Sequence, residues 1–486
     1  MRRAARLAVA LAATGLAACA HPPAPHPSPG PVPARFSEPQ AAGDEADLGA
    51  WWRRFGDPGL DALVDRALQA NLDLRQAGER IAQARQQEVI AGASRLPRVQ
   101  AEAAATRNRI SENAIPIPPG AGGGQAAPFG LPGAEFGSYR LGADAAWELD
   151  LFGGQASAAG AARARRQSAE WSRRDLQVAV AAETAARYLE LRTLQRRRAL
   201  AEAELQRQQD LLAIVRSRAE AGLVGGLDLR QQAAEVEAAR ARIPPLQAQA
   251  RAQVHAIAVL LAEPPEEIAT RLDSGLVPAA PDAPEPPAGL PSELLRRRPD
   301  IRRAEREVAA AAADAGVAAA ALYPRITLSA QPALVSTALS SLLDWGSRNY
   351  AMGAGLLWPV FEGGRLRADL ARADAREREL LLAYRKTVLT ALRDVEDALA
   401  RLAADDARAA AARAQAGQAR AAEALARDRY QSGLTDYAQA LAAGQGRIAA
   451  EDQLEQARGA RAQDLVALYR ALGGGWRDTD VREGGS

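Results

Sequence analysis

Residues 72–98, LDLRQAGERIAQARQQEVIAGASRLPR, align without a gap on residues 299–325, PDIRRAEREVAAAAADAGVAAAALYPR. Each stretch reads as a helix of about 23 residues stopped by Pro97 or Pro324, because proline pushes its predecessor out of helical conformation. The match extends outward. Tyr139, Gly142 and Trp147 reappear as Tyr350, Gly353 and Trp358, and RSRAEAGLV (216–224) reappears as RDRYQSGLT (427–435). Self-similarity at this range means two copies of one supersecondary unit, and that decides the architecture before any single motif does.

The parts follow one order in both copies. A short helix opens the first, with Asp57 and Pro58 in N-cap and N1 positions and Leu60, Leu63, Val64, Ala67 and Leu68 on one stripe. Ser292 is the expected cap in the second copy. The helix quoted above comes next, then two strands. Val99, Ala101, Ala103 and Ala105 alternate with Arg98, Gln100 and Glu102, and Ile326, Leu328 and Ala330 alternate with Arg325, Thr327, Ser329 and Gln331. Tyr139, Leu141, Ala143, Ala145, Trp147 and Leu149 face away from Arg140, Asp144 and Glu148. A half-buried soluble sheet and a membrane barrel both give this alternation. Ten of the 21 aromatics fall in the two strand windows, mostly near strand ends, which suits girdles at a membrane interface.

After Gly153-Gly154 and Gly363-Gly364 each copy enters a proline-free run, 157–221 and 365–432, with Val388, Leu392, Val395, Leu399 and Leu402 at coiled-coil spacing. About 65 residues at 1.5 Å each make roughly 100 Å of helix. Gly222 and Gly433 end these helices as C-caps, and an antiparallel helix returns to Leu261 or Leu472. Pro244-Pro245 stands where the second copy has Glu455-Gln456, so a kink or break is predicted in one hairpin only. Four strands per chain leave open edges, which lipid does not tolerate, and closed barrels begin at about eight strands. Three chains supply 12.

At the N-terminus, Arg2, Arg3 and Arg6 precede an apolar run from Leu7 to Ala18, the pattern of a secretory signal. Leu16-Ala17-Ala18-Cys19 resembles a lipobox, making Cys19, the chain's one cysteine, a lipid anchor. Ala20 follows where an Asp tends to retain lipoproteins at the inner membrane, so the outer membrane is the expected destination.

Composition excludes much else. A net charge of +2 with interleaved acids and bases offers nothing to a nucleic acid. One cysteine and three histidines, two of them in the Pro-rich segment, supply no metal cluster, no His triad and no cofactor motif; no catalytic residue is assigned. Lys386, the chain's one lysine, follows no phosphate-binding loop.

LLRRRPDIRRAE (294–305), LYPRITL (322–328), WELDLFGG (147–154), WPVFEGGRLRA (358–368) and RYQSGL (429–434) resemble recurring segments of the outer membrane factor (TolC-like) family, in its OprM/NodT-type lipoprotein branch. The resemblance spans roughly 48–472 and implies a mainly α chain with a membrane β-barrel. Trimers of such chains form a 12-stranded barrel continuous with a periplasmic α-helical barrel. The implied function is a passive exit duct for small toxic solutes or drugs, lipid-anchored in the outer membrane, docked by a periplasmic adaptor and fed by an inner-membrane pump. The family closes its gate at the hairpin tips. Leu227 and Asp228 match its Leu-Asp pair, although a carboxylate there also suits a helix N-terminus. The second copy departs, with Ala438 and Ala442 where relatives place Leu and Asp, leaving Asp436 as the nearest carboxylate. The turns Gly222-Leu223-Val224 and Gly433-Leu434-Thr435 match those that meet the adaptor, while a turn leucine also seats a C-cap.

The resulting map is a signal over 1–18, an acylated, Pro-rich tether over 19–50, a first repeat over 51–263, a Pro-rich linker over 264–291, a second repeat over 292–472 and a flexible tail over 473–486. Strands are predicted at about 97–106, 138–150, 324–333 and 348–361, and hairpins at about 157–261 and 365–472. The competing reading is a lipid-anchored periplasmic adaptor or coiled-coil tether, which would carry one hairpin and no matched strand pairs.

Overall fold

The computed structural model describes residues 27–38, 48–109, 111, 135–222, 224–273 and 291–477. Cys19, Leu223 and most of the linker fall outside these residues. The chain divides into two compact units, one holding 83–166 with 306–381 and the other 28–82, 167–305 and 382–486.

The first unit contains the four strands, β1 (Arg98–Arg109), β2 (Glu135–Leu149), β3 (Arg325–Ser336) and β4 (Arg348–Leu357), in one antiparallel sheet of order β1-β2-β3-β4. β1 pairs to Arg109, three residues beyond the predicted end, because Arg107 and Glu135 meet at 2.9 Å across the hairpin. β4 stops at Leu357, four residues early. Pro359 has no amide to extend the ladder, and the indole of Trp358 donates to Leu322 O at 3.3 Å. The duplicated position behaves alike: Trp147 donates to Arg95 O at 3.0 Å.

The described residues also form ten α-helices: α1 (Pro58–Ala70), α2 (Leu72–Ala93), α3 (Gly154–Glu220), α4 (Gly226–Ala241), α5 (Ile243–Leu261), α6 (Pro265–Asp273), α7 (Pro291–Arg297), α8 (Pro299–Ala320), α9 (Arg365–Gln431) and α10 (Tyr437–Ala471). α3 and α9 each run 67 residues, roughly 100 Å at 1.5 Å per residue. Along α9 the buried stripe is Val388, Ala391, Val395, Ala398, Leu399 and Leu402, so Ala391 takes the interior position expected of Leu392. In the first hairpin the returning helix is two pieces, α4 and α5, where α10 is continuous. Arg242 between them keeps helical dihedrals (φ −76°, ψ −20°). The break therefore lies in the hydrogen-bond ladder, which loses the amides of Pro244 and Pro245.

In the second unit Asp57 caps α1, accepting from Gly59 N at 2.8 Å and Leu60 N at 3.3 Å, while its other oxygen accepts from the Tyr188 hydroxyl at 2.8 Å. Trp51 is fully buried and stacks on Tyr469, ring centroids 4.9 Å apart.

Four expectations need correction. The linker begins as helix α6, because Pro265 and two glutamates suit a helix start and Ile268 and Leu272 bury one turn apart. The expected flexible tail is fixed through Arg477. Gly475 N donates to Leu48 O at 2.8 Å, Trp476 donates to Arg297 O at 3.1 Å, and the Trp476 ring meets Trp171 edge-on. The tether is held partway along, where the amides of Ser37 and Glu38 both donate to the Glu396 carboxylate. Ser292 lies inside the first turn of α7 and not at its cap.

Candidate functional site

Two places carry the chemistry, the faces of the sheet and the tips of the hairpins. Register fixes the faces, since residues paired across strands share one. Val99, Ala145, Ala330 and Met352 form one cross-strand row. Trp147, Leu328 and Ala354 form another, and Leu149, Ile326 and Leu356 a third. From Val99 to Ala105 this apolar face runs six steps, roughly 20 Å at about 3.4 Å each. It ends in charge, where Arg107 and Arg109 meet Glu135. Tyr350 is 73% exposed and Met352 75%, too much contiguous apolar surface to face water.

The opposite face carries Arg98, Gln100, Glu102, Arg140, Asp144 and Glu148 on β1 and β2, with Thr327, Ser329 and Gln331 on β3. Arg140 pairs with Glu102 at 3.2 Å and lies 4.0 Å from Asp144. This face is a polar wall. Among the described residues no helix is long and apolar enough to cross a membrane.

At the tips, Gly222 (φ +73°) and Gly433 (φ +71°) take the left-handed conformation that ends a helix cheaply only for glycine. Leu434 N reaches back to Arg429 O at 2.8 Å, closing a Schellman-type turn, yet its side chain is 71% exposed. Thr435 bonds the Gln439 side chain. Asp436 is the N-cap of α10 and accepts from Gln439 N at 2.9 Å. Leu227 is 68% exposed, and Asp228 sits half-buried in the first turn of α4. Val224 packs on a buried cluster of Val215, Tyr430 and Tyr437. The structure thus places Leu434 and Leu227 outside the packed tip and engages Asp436 in capping.

Residues the sequence reading passed over hold the hairpins together. Gln232 is fully buried on α4. Its amide donates to Gln208 O at 2.9 Å and Gln208 Oε1 at 2.7 Å, and its oxygen accepts from the Tyr437 hydroxyl. Farther along, buried Arg447 on α10 pairs with Glu204 on α3 at 2.6 Å and Glu451 at 2.5 Å. Arg196 meets Glu455 at 2.9 Å and Arg197 meets Asp452 at 2.7 Å. On an Arg- and Glu-rich helix these look like solvated charges. A Gln or Arg falling on the apolar stripe is the signal that could have found them.

A sheet with one lipid-suited face and one polar face, in a chain carrying two 100 Å-class helical hairpins, defines a subunit of a membrane channel. The outer membrane efflux protein family matches residues 63–263 and 290–474, and the chain belongs to that family. It is 36% identical over 466 residues to the pyoverdine export outer membrane protein OpmQ of Pseudomonas aeruginosa, covering 95% of each chain. Its fold resembles the outer-membrane channel OprN, with a TM-score of 0.83 and 33% identity over 94% of this chain and 99% of that one. The open state of the MtrE channel of Neisseria gonorrhoeae gives a TM-score of 0.82 at 29% identity, over 94% and 98%. The protein is a TolC-like outer-membrane component of an efflux system.

Proposed function

We propose that three copies of this chain close a 12-stranded barrel and act as a passive duct for small toxic solutes or drugs. One observation carries the reading: β1 and β4 are sheet edges with unpaired backbone groups beside an exposed apolar face. In lipid those groups must find partners, and β1 of one copy against β4 of the next supplies them without a new element. Each chain then contributes four strands to a wall that is apolar outside and polar inside.

Acylated Cys19 anchors the protein in the outer membrane. A periplasmic adaptor docks at Gly222, Leu223, Val224, Gly433, Leu434 and Thr435, and an inner-membrane pump supplies the solute and the energy. Leu227 and Asp228 line the tip gate, with Asp436 beside them as the cap of α10. Docking turns the tip helices outward. The mass of the mature protein extracted in mild detergent and corrected for bound detergent tests the assembly. A trimer is expected, and a stable monomer overturns it.

A further inference from the structure

Beside the break at Pro244-Pro245 lies a cavity of about 440 Å³, walled by α3, by α4 and α5 at their junction, and by α10. That volume is within the range of small-molecule sites. Its apolar lining comes from Leu200, Pro245, Leu246 and Ile448. Duplication explains why it sits in this hairpin. In the second copy the equivalent positions of α9 and α10 are Ala412, Ala416, Ala450, Leu454 and Ala457, which pack into a buried cluster. Here the matching residues are Ala201, Leu205, Ala239, Ile243 and Leu246, with leucine replacing alanine at two of the five places, on a helix whose ladder is interrupted.

The charges lining it are unequal in what they still need. Glu204 is held by Arg447 and Arg207, Glu451 by Arg447 and Arg420, and Asp452 by Arg197. Every lining carboxylate is therefore paired. Two cationic groups are left with capacity. Arg242 lines the cavity with no carboxylate partner among the described residues. Arg447 is only 4% exposed, and its Nε has no hydrogen-bond acceptor, Glu423 lying 4.0 Å away.

We propose that this cavity binds a small amphiphilic organic carboxylate, its apolar body against Leu246 and Ile448 and its anion facing Arg242. A cation finds no free carboxylate there, and a purely apolar guest gains nothing from Arg242, an exposed guanidinium with no carboxylate already on it. Its lining residues lie on the hairpin helices and include none of the strand or tip residues named above, so the site is tested separately from them.

The test is fluorine NMR of para-trifluoromethylbenzoate added to the full chain in lipid nanodiscs, with empty nanodiscs as the blank and para-trifluoromethylbenzamide as the neutral probe. Saturable broadening of the benzoate signal beyond the blank is expected. Arg242→Gln should weaken the benzoate by about tenfold and leave the benzamide unchanged, as loss of one ionic contact does. Ala449→Trp, at an exposed lining position, should abolish binding of both by filling the mouth. Unchanged melting temperatures of both variants confirm the fold. Broadening equal to the blank, or binding that survives Ala449→Trp, or a benzoate affinity indifferent to Arg242→Gln, overturns the proposal.

Discussion

The hydroxyl of Tyr437, the first residue of α10, donates to the side-chain oxygen of Gln232 on α4, joining the two hairpins near their tips through a fully buried amide. Burial, aided by the nearby Glu235, Tyr430 and Asp228, pushes the Tyr437 phenol far above its ordinary value, so it remains a donor throughout the neutral range. Tyr437→Phe leaves the Gln232 oxygen buried without a partner. The expected loss is about 1–3 kcal/mol of tip stability. Faster amide exchange in 226–241 and in the first turns of α10 measures it, and wild-type exchange there would show that the bond carries no load.

A second link between helices weakens as pH rises. Asp464 on α10 faces Asp405 on α9; burial first, then the hydrogen bond and charge of Asp405, push Asp464 up to about 6, with Arg401 opposing. The folded chain therefore prefers the protonated carboxyl. Stability is fully present below the ordinary value of 3.8 and is lost as pH rises through about 6. Asp464→Asn keeps a neutral, hydrogen-bonding side chain at every pH. We expect it to raise the melting temperature relative to wild type above pH 6 and to leave it nearly unchanged well below; a constant offset between the two would refute the assignment.

What the sequence made legible was what backbone chemistry enforces. Alternation placed Tyr139 to Leu149 on two faces because strand geometry admits no other reading, and Gly222, Gly433 and Pro244-Pro245 marked helix ends and a break because their backbones leave little choice. Side-chain partnerships were illegible. Arg447 and Glu204 lie far apart in sequence and resemble dozens of exposed Arg and Glu residues, and only the packing of α10 on α3 makes them a buried pair. Asp436 shows the same limit at the tip: composition supplied a carboxylate, and local geometry engaged it as a cap. The glycine-rich tail misled for a related reason, since Trp476 seats its ring on Trp171 across a contact that no local pattern announces.

The exposed turn separates folding from docking. Leu434 contributes its amide to the Schellman turn and leaves its side chain in solvent, so Leu434→Ser should change stability by less than about 0.5 kcal/mol. Export in a strain relying on this channel should nonetheless fall sharply, together with cross-linking to the adaptor. Gly433→Ala works the other way. It forces a Cβ into φ +71° and should cost about 1–2 kcal/mol. Export undiminished by Leu434→Ser would remove this turn from the docking surface.

Adjacent residues on β4 test which face meets lipid. Met352 pairs with Ala330 in the row that includes Val99 and Ala145, and Ala351 pairs with Gln331 on the polar face. An arginine on the lipid side of a barrel costs about 2–4 kcal/mol near the midplane, whereas one in a water-filled lumen costs little and adds charge to the wall. Met352→Arg should therefore deplete folded protein from outer-membrane fractions. Ala351→Arg should assemble normally, and in planar bilayers its channel should shift toward anion selectivity. Equal tolerance of both substitutions would mean that neither face is buried in hydrocarbon, and the reverse pattern would turn the sheet inside out. The pair is informative because a one-residue slip exchanges every side chain between faces, so no local rearrangement gives both results.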